Sequence, residues 1–200
     1  MRYTGPKNRL ARKIGIDLGL KTNPLKVAKR IGIAPGMHGK KQKRKPSNYS
    51  VQLKEKQKVK YIYGLSEKQL KKAYDIATKT PTATGSAMLR LLERRLDNVV
   101  YRMLFAPTRA SARQLVNHGH VIVNGKKMGI ASYQVKIDDV IQLKDSATKI
   151  TAVAQVMKEG SGRPAWVEVK ASLGKVVRYP EREEISEGID EQVIVEWYSR

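Results

Sequence analysis

The sequence has no cysteine, and this absence excludes disulfide bonds, iron–sulfur clusters and zinc sites built on thiolates. Its three histidines, His38, His118 and His120, do not share the spacing of metal ligands on a helix, so we expect no metal and no cofactor. No apolar run approaches the roughly 18 residues that a membrane-spanning helix needs, and the N-terminus has no apolar signal core. We therefore expect a cytoplasmic protein with no membrane partner.

Acidic side chains are also scarce, because the chain contains 18 Asp and Glu against 40 Lys and Arg, for a formal net charge of +22. Such a chain repels itself and binds polyanions, either nucleic acid or an anionic membrane. Residues 1–60 hold 18 basic side chains and only Asp17 and Glu55 as acids, whereas residues 158–200 hold 7 basic and 9 acidic ones. This asymmetry favours a basic arm around a polyanion and an acidic C-terminal segment that faces elsewhere.

Apolar residues that recur every three or four positions predict helices in the middle of the chain. Ser66 and Thr108 are typical N-cap residues, and Gly119 is a typical helix stop. The leucines, valines and methionine of 89–103 predict one continuous amphipathic helix. The predicted helices cover 48–63, 66–78, 89–103 and 108–119.

Alternating apolar and polar residues predict strands in the second half of the chain. Asn124-Gly125 is a strong two-residue turn signal after a strand that contains Val121 and Val123. Further strands are predicted at 133–137 and 140–143, and residues 166–170 and 175–179 favour strands or a short helix. Residues 150–156 favour either a strand or a short helix, and the apolar and aromatic run at 191–198 indicates a chain end docked on the fold.

Several phosphate-binding features meet in this half of the chain. Thr108, Arg109 and Arg113 lie in the first turns of a predicted helix, whose N-terminus favours anions. Lys126 and Lys127 follow the hairpin turn, and the planar fork of arginine suits phosphate. We expect a structured polyanion-binding surface, in which charge reversal at Arg109 and Arg113 weakens binding and leaves the fold intact.

Short motifs run through the same stretch and its flanks. In the stretch they are Arg95-Leu96-Asp97-Asn98-Val99-Val100-Tyr101-Arg102, Thr108-Arg109-Ala110, Ala112-Arg113-Gln114-Leu115-Val116, Val123-Asn124-Gly125 and Ile130-Ala131-Ser132-Tyr133-Gln134-Val135. In the flanks they are Arg2-Tyr3, Gly5-Pro6-Lys7, Pro35-Gly36-Met37-His38-Gly39, Gln52-Leu53-Lys54-Glu55-Lys56-Gln57-Lys58, Tyr63-Gly64 and Ile194-Val195-Glu196-Trp197-Tyr198-Ser199. Together they resemble the small-subunit ribosomal protein S-four family over nearly the whole chain.

The resemblance implies a structural protein that binds small-subunit rRNA directly and early, and nucleates assembly of the subunit body. It also implies an influence on decoding accuracy, contact with the neighbouring ribosomal protein S-five, and a basic lining of the mRNA entrance at 40–45. Many family members hold the N-terminal region with a zinc knuckle of cysteines, which this chain lacks. RNA and packing are therefore expected to order that region.

Patterns and resemblance together indicate an α+β fold in three parts. Residues 1–46 form a basic, extended N-terminal arm. Residues 47–87 form a mainly helical domain, which the C-terminal segment 180–200 completes. Residues 88–179 form the RNA-binding α/β domain, in which two helices and an antiparallel sheet make up a core module at about 94–157.

Basic, polar and aromatic residues of these parts are the candidate contacts. The candidate RNA contacts are Arg2, Tyr3, Lys7, Arg9, Arg12, Lys13, Lys40, Lys41, Lys43, Arg44, Lys45, Tyr49, Lys54, Lys56, Lys58, Lys60, Arg94, Arg95, Arg102, Thr108, Arg109, Ser111, Arg113, Gln114, His120, Asn124, Lys126 and Lys127. The candidate contacts with the protein neighbour are Ile189, Val193, Trp197 and Tyr198.

Two other functions explain part of the sequence. An RNA-modifying enzyme is one, because Arg95-Leu96-Asp97 is similar to the aspartate motif of pseudouridine synthases. The chain beyond the module is too short for their catalytic domain, and we expect Asp97 to pair with Arg94 or Arg90 on its own helix. A non-specific nucleoid or membrane-surface binder would explain the charge but not the motifs. We therefore predict that the protein is not an enzyme.

Removal of residues 1–47 should lower the affinity for small-subunit rRNA and retain selectivity for it, because the basic segment adds phosphate contacts to a preformed surface. Filter binding to small-subunit and large-subunit rRNA measures both quantities. Equal affinities of the full-length and shortened chains would contradict this prediction.

Overall fold

The computed structural model describes residues 3–39, 45–159 and 162–199. They form helices and one five-stranded sheet, which confirms the predicted α+β class. The elements are α1 (Lys7–Ile14), α2 (Pro24–Ala28), α3 (Asn48–Ile62), α4 (Glu67–Ala77), α5 (Thr84–Glu93), α6 (Leu96–Arg102), α7 (Arg109–Asn117), β1 (Val121–Val123), β2 (Lys126–Lys127), β3 (Val140–Leu143), α8 (Asp145–Thr148), α9 (Thr151–Glu159), β4 (Val167–Lys170), β5 (Leu173–Val176) and α10 (Glu191–Tyr198). The chain divides into unit 1, Met1–Met88 with Ser186–Arg200, and unit 2, Leu89–Ile185.

The N-terminal segment is more folded than an extended arm. It contains helices α1 and α2, and its Leu10 and Leu18 side chains are buried. Helix α1 packs on α3, and Arg12 of α1 donates from Nε to the backbone oxygen of Ile33 at 2.8 Å. Removal of residues 1–47 therefore takes away packing contacts of unit 1 in addition to positive charge.

Local sequence signals set the starts of α3 and α4. The Ser47 hydroxyl accepts a hydrogen bond from the Ser50 backbone N–H at 3.3 Å. At α4, Ser66 Oγ accepts from the Gln69 backbone N–H at 3.3 Å, and Gln69 Oε1 accepts from the Ser66 backbone N–H at 3.1 Å. This reciprocal pair is a capping box, and it confirms the predicted N-cap at Ser66.

The C-terminal helix α10 packs on α3 and α4, which confirms that the chain end is docked. Its Ile194 side chain is completely buried. Aromatic rings flank this contact, because Trp197 lies against Tyr49 and Tyr198 stacks on Tyr74, with a distance of 4.9 Å between ring centroids in each pair. Apolar and aromatic burial therefore fixes α10 on unit 1.

The prediction of one helix over 89–103 is wrong, because the chain breaks between α5 and α6. Arg95 is extended, with φ −67° and ψ 137°, and forms the N-cap of α6. The Leu96 backbone N–H at the start of α6 donates to the carbonyl of Tyr133 at 2.9 Å. A distant segment thus satisfies an N–H group that a continuous helix would have paired internally.

The strand predicted at 133–137 is also wrong. These residues form a single bridge, between Gln134 and Arg95, and the Val135 backbone N–H donates to the carbonyl of Arg94 at 2.9 Å. Apolar and polar residues do alternate in this segment, but its backbone pairs with the extended residue before α6 and not with another strand. The backbone hydrogen bonds between these two segments therefore account both for the break before α6 and for the irregular structure of 133–137.

The strands form an antiparallel sheet in the order β2-β1-β3-β5-β4. The predicted turn at Asn124-Gly125 is confirmed, and both residues have positive φ, 49° and 78°, as a type I′ turn requires. The strand predicted at 140–143 is β3, and its Ile141 and Leu143 side chains are buried in the core of unit 2.

The remaining sheet predictions differ in detail. At 166–170 the structure shows a strand, β4, which follows the buried Trp166. At 175–179 it also shows a strand, β5, which begins earlier, at Leu173, and pairs with both β3 and β4. Of the two possibilities for 150–156, the structure shows the helix, α9.

Replacing Glu67 by Gln should destabilise unit 1 by about 1–2 kcal/mol, a value that allows for the partial exposure of this side chain. The Glu67 carboxylate accepts hydrogen bonds from Lys56 Nζ at 2.8 Å and from the Tyr198 hydroxyl at 3.0 Å, and Lys56 is buried. Urea unfolding at neutral pH measures the loss. The matched control is Glu183→Gln, which removes an exposed carboxylate without an ion pair among the described residues.

The destabilisation should also depend on pH. Burial raises the pKa of Glu67, but hydrogen bonds from Lys56 and Tyr198 outweigh it and hold the pKa below its ordinary value of 4.5. A depressed pKa in the folded state means that the stabilisation is complete above the unfolded-state pKa and disappears as the pH falls through the folded-state value. The difference between wild type and Glu67→Gln should shrink below pH 4.5. A difference that stays constant in acid would contradict this assignment.

Candidate nucleic-acid interface

Two buried carboxylates organise the arginines of α6 and α7. The first is Glu93, at the end of α5, which is fully buried. It accepts two hydrogen bonds from Arg102, one from Nε and one from Nη2, both at 2.8 Å. It also accepts one from Asn98 Nδ2 at 2.8 Å. Glu93 therefore fixes the Arg102 guanidinium in one plane.

The second carboxylate is Asp97. It accepts from Arg95 Nε at 3.1 Å and from Arg95 Nη2 at 2.9 Å, and Arg113 Nη1 lies 3.5 Å from its Oδ2. The expected pairing of Asp97 with Arg94 or Arg90 is wrong, because the break before α6 ends the helical spacing on which that expectation depended.

Arg109 is linked to Glu93 through Asn98. Its Nε donates to Asn98 Oδ1 at 2.7 Å, and its Nη2 lies 3.9 Å from Glu93 Oε1. Its guanidinium carbon also lies 4.6 Å from the centroid of the Tyr101 ring, in cation–π contact. Aromatic and polar contacts therefore hold this side chain on two sides.

Arg95, Arg102, Arg109 and Arg113 form what we call the arginine cluster. The four guanidinium groups lie around the Glu93 and Asp97 carboxylates, and their side chains are between 7% and 17% exposed. Because these side chains are already ordered, they lose little conformational entropy on binding an anion.

The cluster overturns the expectation that charge reversal at Arg109 and Arg113 leaves the fold intact. Acidic side chains at these positions would face Glu93 and Asp97, both buried. Repulsion between buried like charges would destabilise unit 2. Loss of RNA binding in that variant would therefore not identify a contact.

Arg94 lies apart from the cluster. Its Nε donates to the backbone oxygen of Val135 at 3.2 Å, and its guanidinium carbon lies 4.1 Å from the centroid of the Tyr179 ring. These contacts assign Arg94 a structural role within unit 2.

Helix α7 begins as predicted. The Thr108 hydroxyl accepts a hydrogen bond from the Ser111 backbone N–H at 3.2 Å, which confirms the N-cap. Ser111 is half-buried and Gln114 is exposed. Polar groups and the positive end of the helix dipole therefore lie beside Arg109.

The Asn124 side chain holds the hairpin turn in place. Its Nδ2 donates to Asp139 Oδ1 at 2.8 Å, and its Oδ1 accepts from the Val140 backbone N–H at 2.9 Å. The other oxygen of Asp139 accepts from the Lys136 backbone N–H at 2.8 Å and from the Tyr133 hydroxyl at 3.3 Å. Asn124 thus positions the hairpin, and its amide is already engaged on both atoms.

The hairpin presents cations to solvent. Lys126 and Lys127 are exposed, and neither forms an ion pair in the part of the chain that the structure describes. The Lys127 side chain lies over Gly119, where φ is +70° and an added Cβ would collide with it. Half-buried His120 approaches the Ser146 hydroxyl through Nδ1 at 3.4 Å.

In unit 1 the predicted RNA contacts divide into exposed and paired side chains. Lys56 and Lys58 are buried and pair with Glu67 at 2.8 Å and Glu55 at 2.9 Å, and Lys60 lies 3.3 Å from Glu67. These three lysines therefore stabilise unit 1. The exposed candidates are Tyr3, Arg9, Lys13, Lys45, Tyr49 and Lys54.

Other candidates have structural contacts or lie outside the described residues. Half-buried Lys7 donates to the backbone oxygen of Tyr3 at 3.2 Å. Ile189 is buried, which leaves it no surface for a protein neighbour, whereas Val193, Trp197 and Tyr198 are half-buried. The candidates outside the described residues are Arg2, Lys40, Lys41, Lys43 and Arg44.

The sequence analysis missed Glu93, Asn98 and Asp139 as organisers of the interface. The one sequence signal that could have indicated Glu93 is an acidic residue directly before the arginines of the motif. Nothing local indicates Asp139, because its partner Asn124 lies fifteen positions away along the chain. Within the described residues no three acidic or histidine side chains gather as metal ligands, and no helix is long and apolar enough to span a membrane.

This chain is similar in sequence to known proteins over its whole length. The model of the ribosomal protein S4/S9 N-terminal domain matches residues 2–93, and that of the S4 domain matches 94–141. The small ribosomal subunit protein uS4 of Cytophaga hutchinsonii is 46% identical over 202 residues, that of Brevibacillus brevis 44% over 201, and that of Thermus thermophilus 42% over 207. Each alignment covers 100% of this chain and 99% of the relative. The chain belongs to the uS4 family.

As a member of the uS4 family, the chain is a structural constituent of the small ribosomal subunit, carries an RNA-binding S4 domain and is not an enzyme. The similarity of Arg95-Leu96-Asp97 to a catalytic motif has a structural explanation. Asp97 is buried and bound to Arg95 and Arg113. Its role is to hold the arginine cluster.

Replacing Glu93 by Gln should destabilise unit 2 by about 3–5 kcal/mol, because it leaves the guanidinium groups of Arg102 and Arg109 without their buried counter-charge. Urea unfolding measures the loss, and Glu183→Gln serves again as the exposed control. A loss within about 0.5 kcal/mol, as at an ordinary surface position, would show that Glu93 does not organise the cluster.

Proposed function

We propose that this uS4-family chain binds small-subunit rRNA directly through unit 2. The binding face consists of the half-buried Arg102, Arg109 and Arg113 of the arginine cluster, the start of α7 and the β1–β2 hairpin, whereas Arg95 is buried and positions Asp97. The observation that carries this proposal is the set of four guanidinium groups held around two buried carboxylates. Because folded RNA is recognised largely by shape and backbone, cations in fixed positions suit a particular arrangement of phosphates.

The hairpin adds a second kind of cation. Lys126 and Lys127 are exposed point charges on long side chains, and they adapt to phosphates whose positions vary. The link between Asn124 and Asp139 fixes the backbone that carries them. Rigid arginines therefore set the register of the RNA, and the lysines add affinity that depends on salt.

The binding face of unit 2 also supports a role early in assembly of the small subunit. An interface that is ordered in the free chain binds RNA without waiting for other proteins, which supports early binding and nucleation of the subunit body. An influence on decoding accuracy rests on the family resemblance alone.

Contact with ribosomal protein S-five and a place at the mRNA entrance are further parts of the proposal. Exposed Glu196 and half-buried Trp197 give helix α10 an acidic and aromatic surface that suits a basic neighbour. Lys45 is exposed and supports a cationic entrance lining, whose other members lie outside the described residues.

Replacing both Lys126 and Lys127 by Gln should weaken rRNA binding and lower the slope of log affinity against log salt by about 1–2, because each lost phosphate contact removes somewhat less than one unit. Filter binding over a series of salt concentrations measures the slope. The charge-matched control replaces Lys149 and Lys158, exposed lysines of unit 2 without an ion pair among the described residues. An unchanged slope in the hairpin variant would exclude the hairpin from the interface.

A non-specific polyanion binder is the alternative that charge alone favours. Sedimentation of cell lysate at moderate salt separates the two, because a constituent of the small subunit migrates with that particle. A protein spread over all nucleic-acid fractions would instead support the alternative.

A further inference from the structure

A groove in unit 1 plays no part in the RNA-binding face of unit 2. Its volume is about 550 Å³, within the range of roughly 300–1,000 Å³ of small-molecule sites. The lining combines aromatic, cationic and small apolar side chains. The residues that matter are Tyr3, Arg9, Leu10, Lys13, Pro35 and Tyr61.

The walls of the groove are tied together by Arg12, which is not itself part of the lining. Arg12 donates from Nε to the backbone oxygen of Ile33 at 2.8 Å and from Nη2 to that of Ala34 at 3.1 Å. These two hydrogen bonds tie the segment that carries Pro35 to helix α1. The spacing between the two walls is therefore set before any ligand binds.

The Tyr3 ring is also fixed in place. Its hydroxyl donates to the backbone oxygen of Pro6 at 3.4 Å, and Lys7 Nζ lies 5.8 Å from the ring centroid. The ring packs so closely on Gly5 that an added Cβ would lie 2.7 Å from the Tyr3 hydroxyl oxygen. Glycine at position 5 therefore gives the ring its place at the groove.

The cations of the groove lack counter-charges. Arg9 and Lys13 are exposed, lie four residues apart on α1 and form no ion pair within the described residues. Asp17 is the sole acidic residue between residues 3 and 39, and its Oδ1 accepts a hydrogen bond from the Gly19 backbone N–H at 3.0 Å. The groove therefore attracts an anion that also has an aromatic or apolar part.

We propose, building on the proposed rRNA-binding function, that this groove receives one unpaired nucleotide of small-subunit rRNA. The base of this nucleotide stacks on the ring of Tyr3, and Arg9 and Lys13 bind its phosphate. Unpaired bases stack on aromatic side chains in this way, whereas a duplex is too wide for a groove of this size.

Two alanine variants test the role of the Tyr3 ring without changing charge. Gly5→Ala displaces the Tyr3 ring, whereas Gly32→Ala adds a Cβ in open space, and neither glycine has positive φ. Gly5→Ala and Tyr3→Leu should each lower the affinity of the full-length chain for small-subunit rRNA by roughly 5- to 150-fold, the loss typical of one stacked base. Gly32→Ala should bind as wild type does.

A double variant separates displacement of the ring from general damage. Gly5→Ala should add no further loss to Tyr3→Leu if both act through the same ring. Arg9→Gln should weaken binding more than Lys29→Gln, which removes an exposed charge of the same segment outside the groove. Circular dichroism and thermal unfolding of each variant identify any loss of fold.

The outcomes distinguish this proposal from the proposed function. Wild-type protein that does not prefer small-subunit over large-subunit rRNA would overturn the function itself. Selective wild-type protein with Gly5→Ala and Tyr3→Leu variants of unchanged affinity would overturn the groove alone. If millimolar nucleoside monophosphate protects Tyr3 and Tyr61 from chemical modification while rRNA does not, the occupant is a free nucleotide and the rRNA assignment is wrong.

Discussion

The buried Glu93 carboxylate is the constraint around which unit 2 is arranged. It holds Arg102 by two hydrogen bonds of 2.8 Å and Asn98 by a third, and Asn98 in turn accepts from Arg109. A charge in this position is stable only while it is paired and hydrogen-bonded. The same contacts that meet this requirement place arginines of two helices side by side. The proposed RNA-binding face is therefore a consequence of how the core satisfies a buried charge.

The break between α5 and α6 follows from the same requirement. A continuous helix would place Asp97 one turn from Glu93 on a single surface and leave both carboxylates beside their helical neighbours. The extended conformation of Arg95 instead aligns its guanidinium with Asp97, and backbone groups of 131–135 bond to the opened chain. Long-range pairing replaces local helical pairing, and two groups of arginines are brought into one cluster.

Several residues that are basic in sequence prove to be structural. Lys56 and Lys58 are buried beside carboxylates, Arg12 ties a loop to α1, and Arg94 packs against an aromatic ring. Lys126, Lys127, Arg9 and Lys13 remain exposed. A high net charge thus serves two purposes, because some cations order the fold and others remain available to a polyanion.

The sequence by itself determined the polyanion-binding character, the absence of thiolate chemistry, the α+β class, the helix start at Ser66 and the type I′ turn at Asn124-Gly125. Each depends on composition or on residues only a few positions apart, so local preferences decide it. Only the tertiary structure decided the helix break at Arg95, the pairing of Asn124 with Asp139, and which lysines and arginines are buried. These features depend on residues distant in the chain, and the need to pair buried charges there outweighs local helix preference.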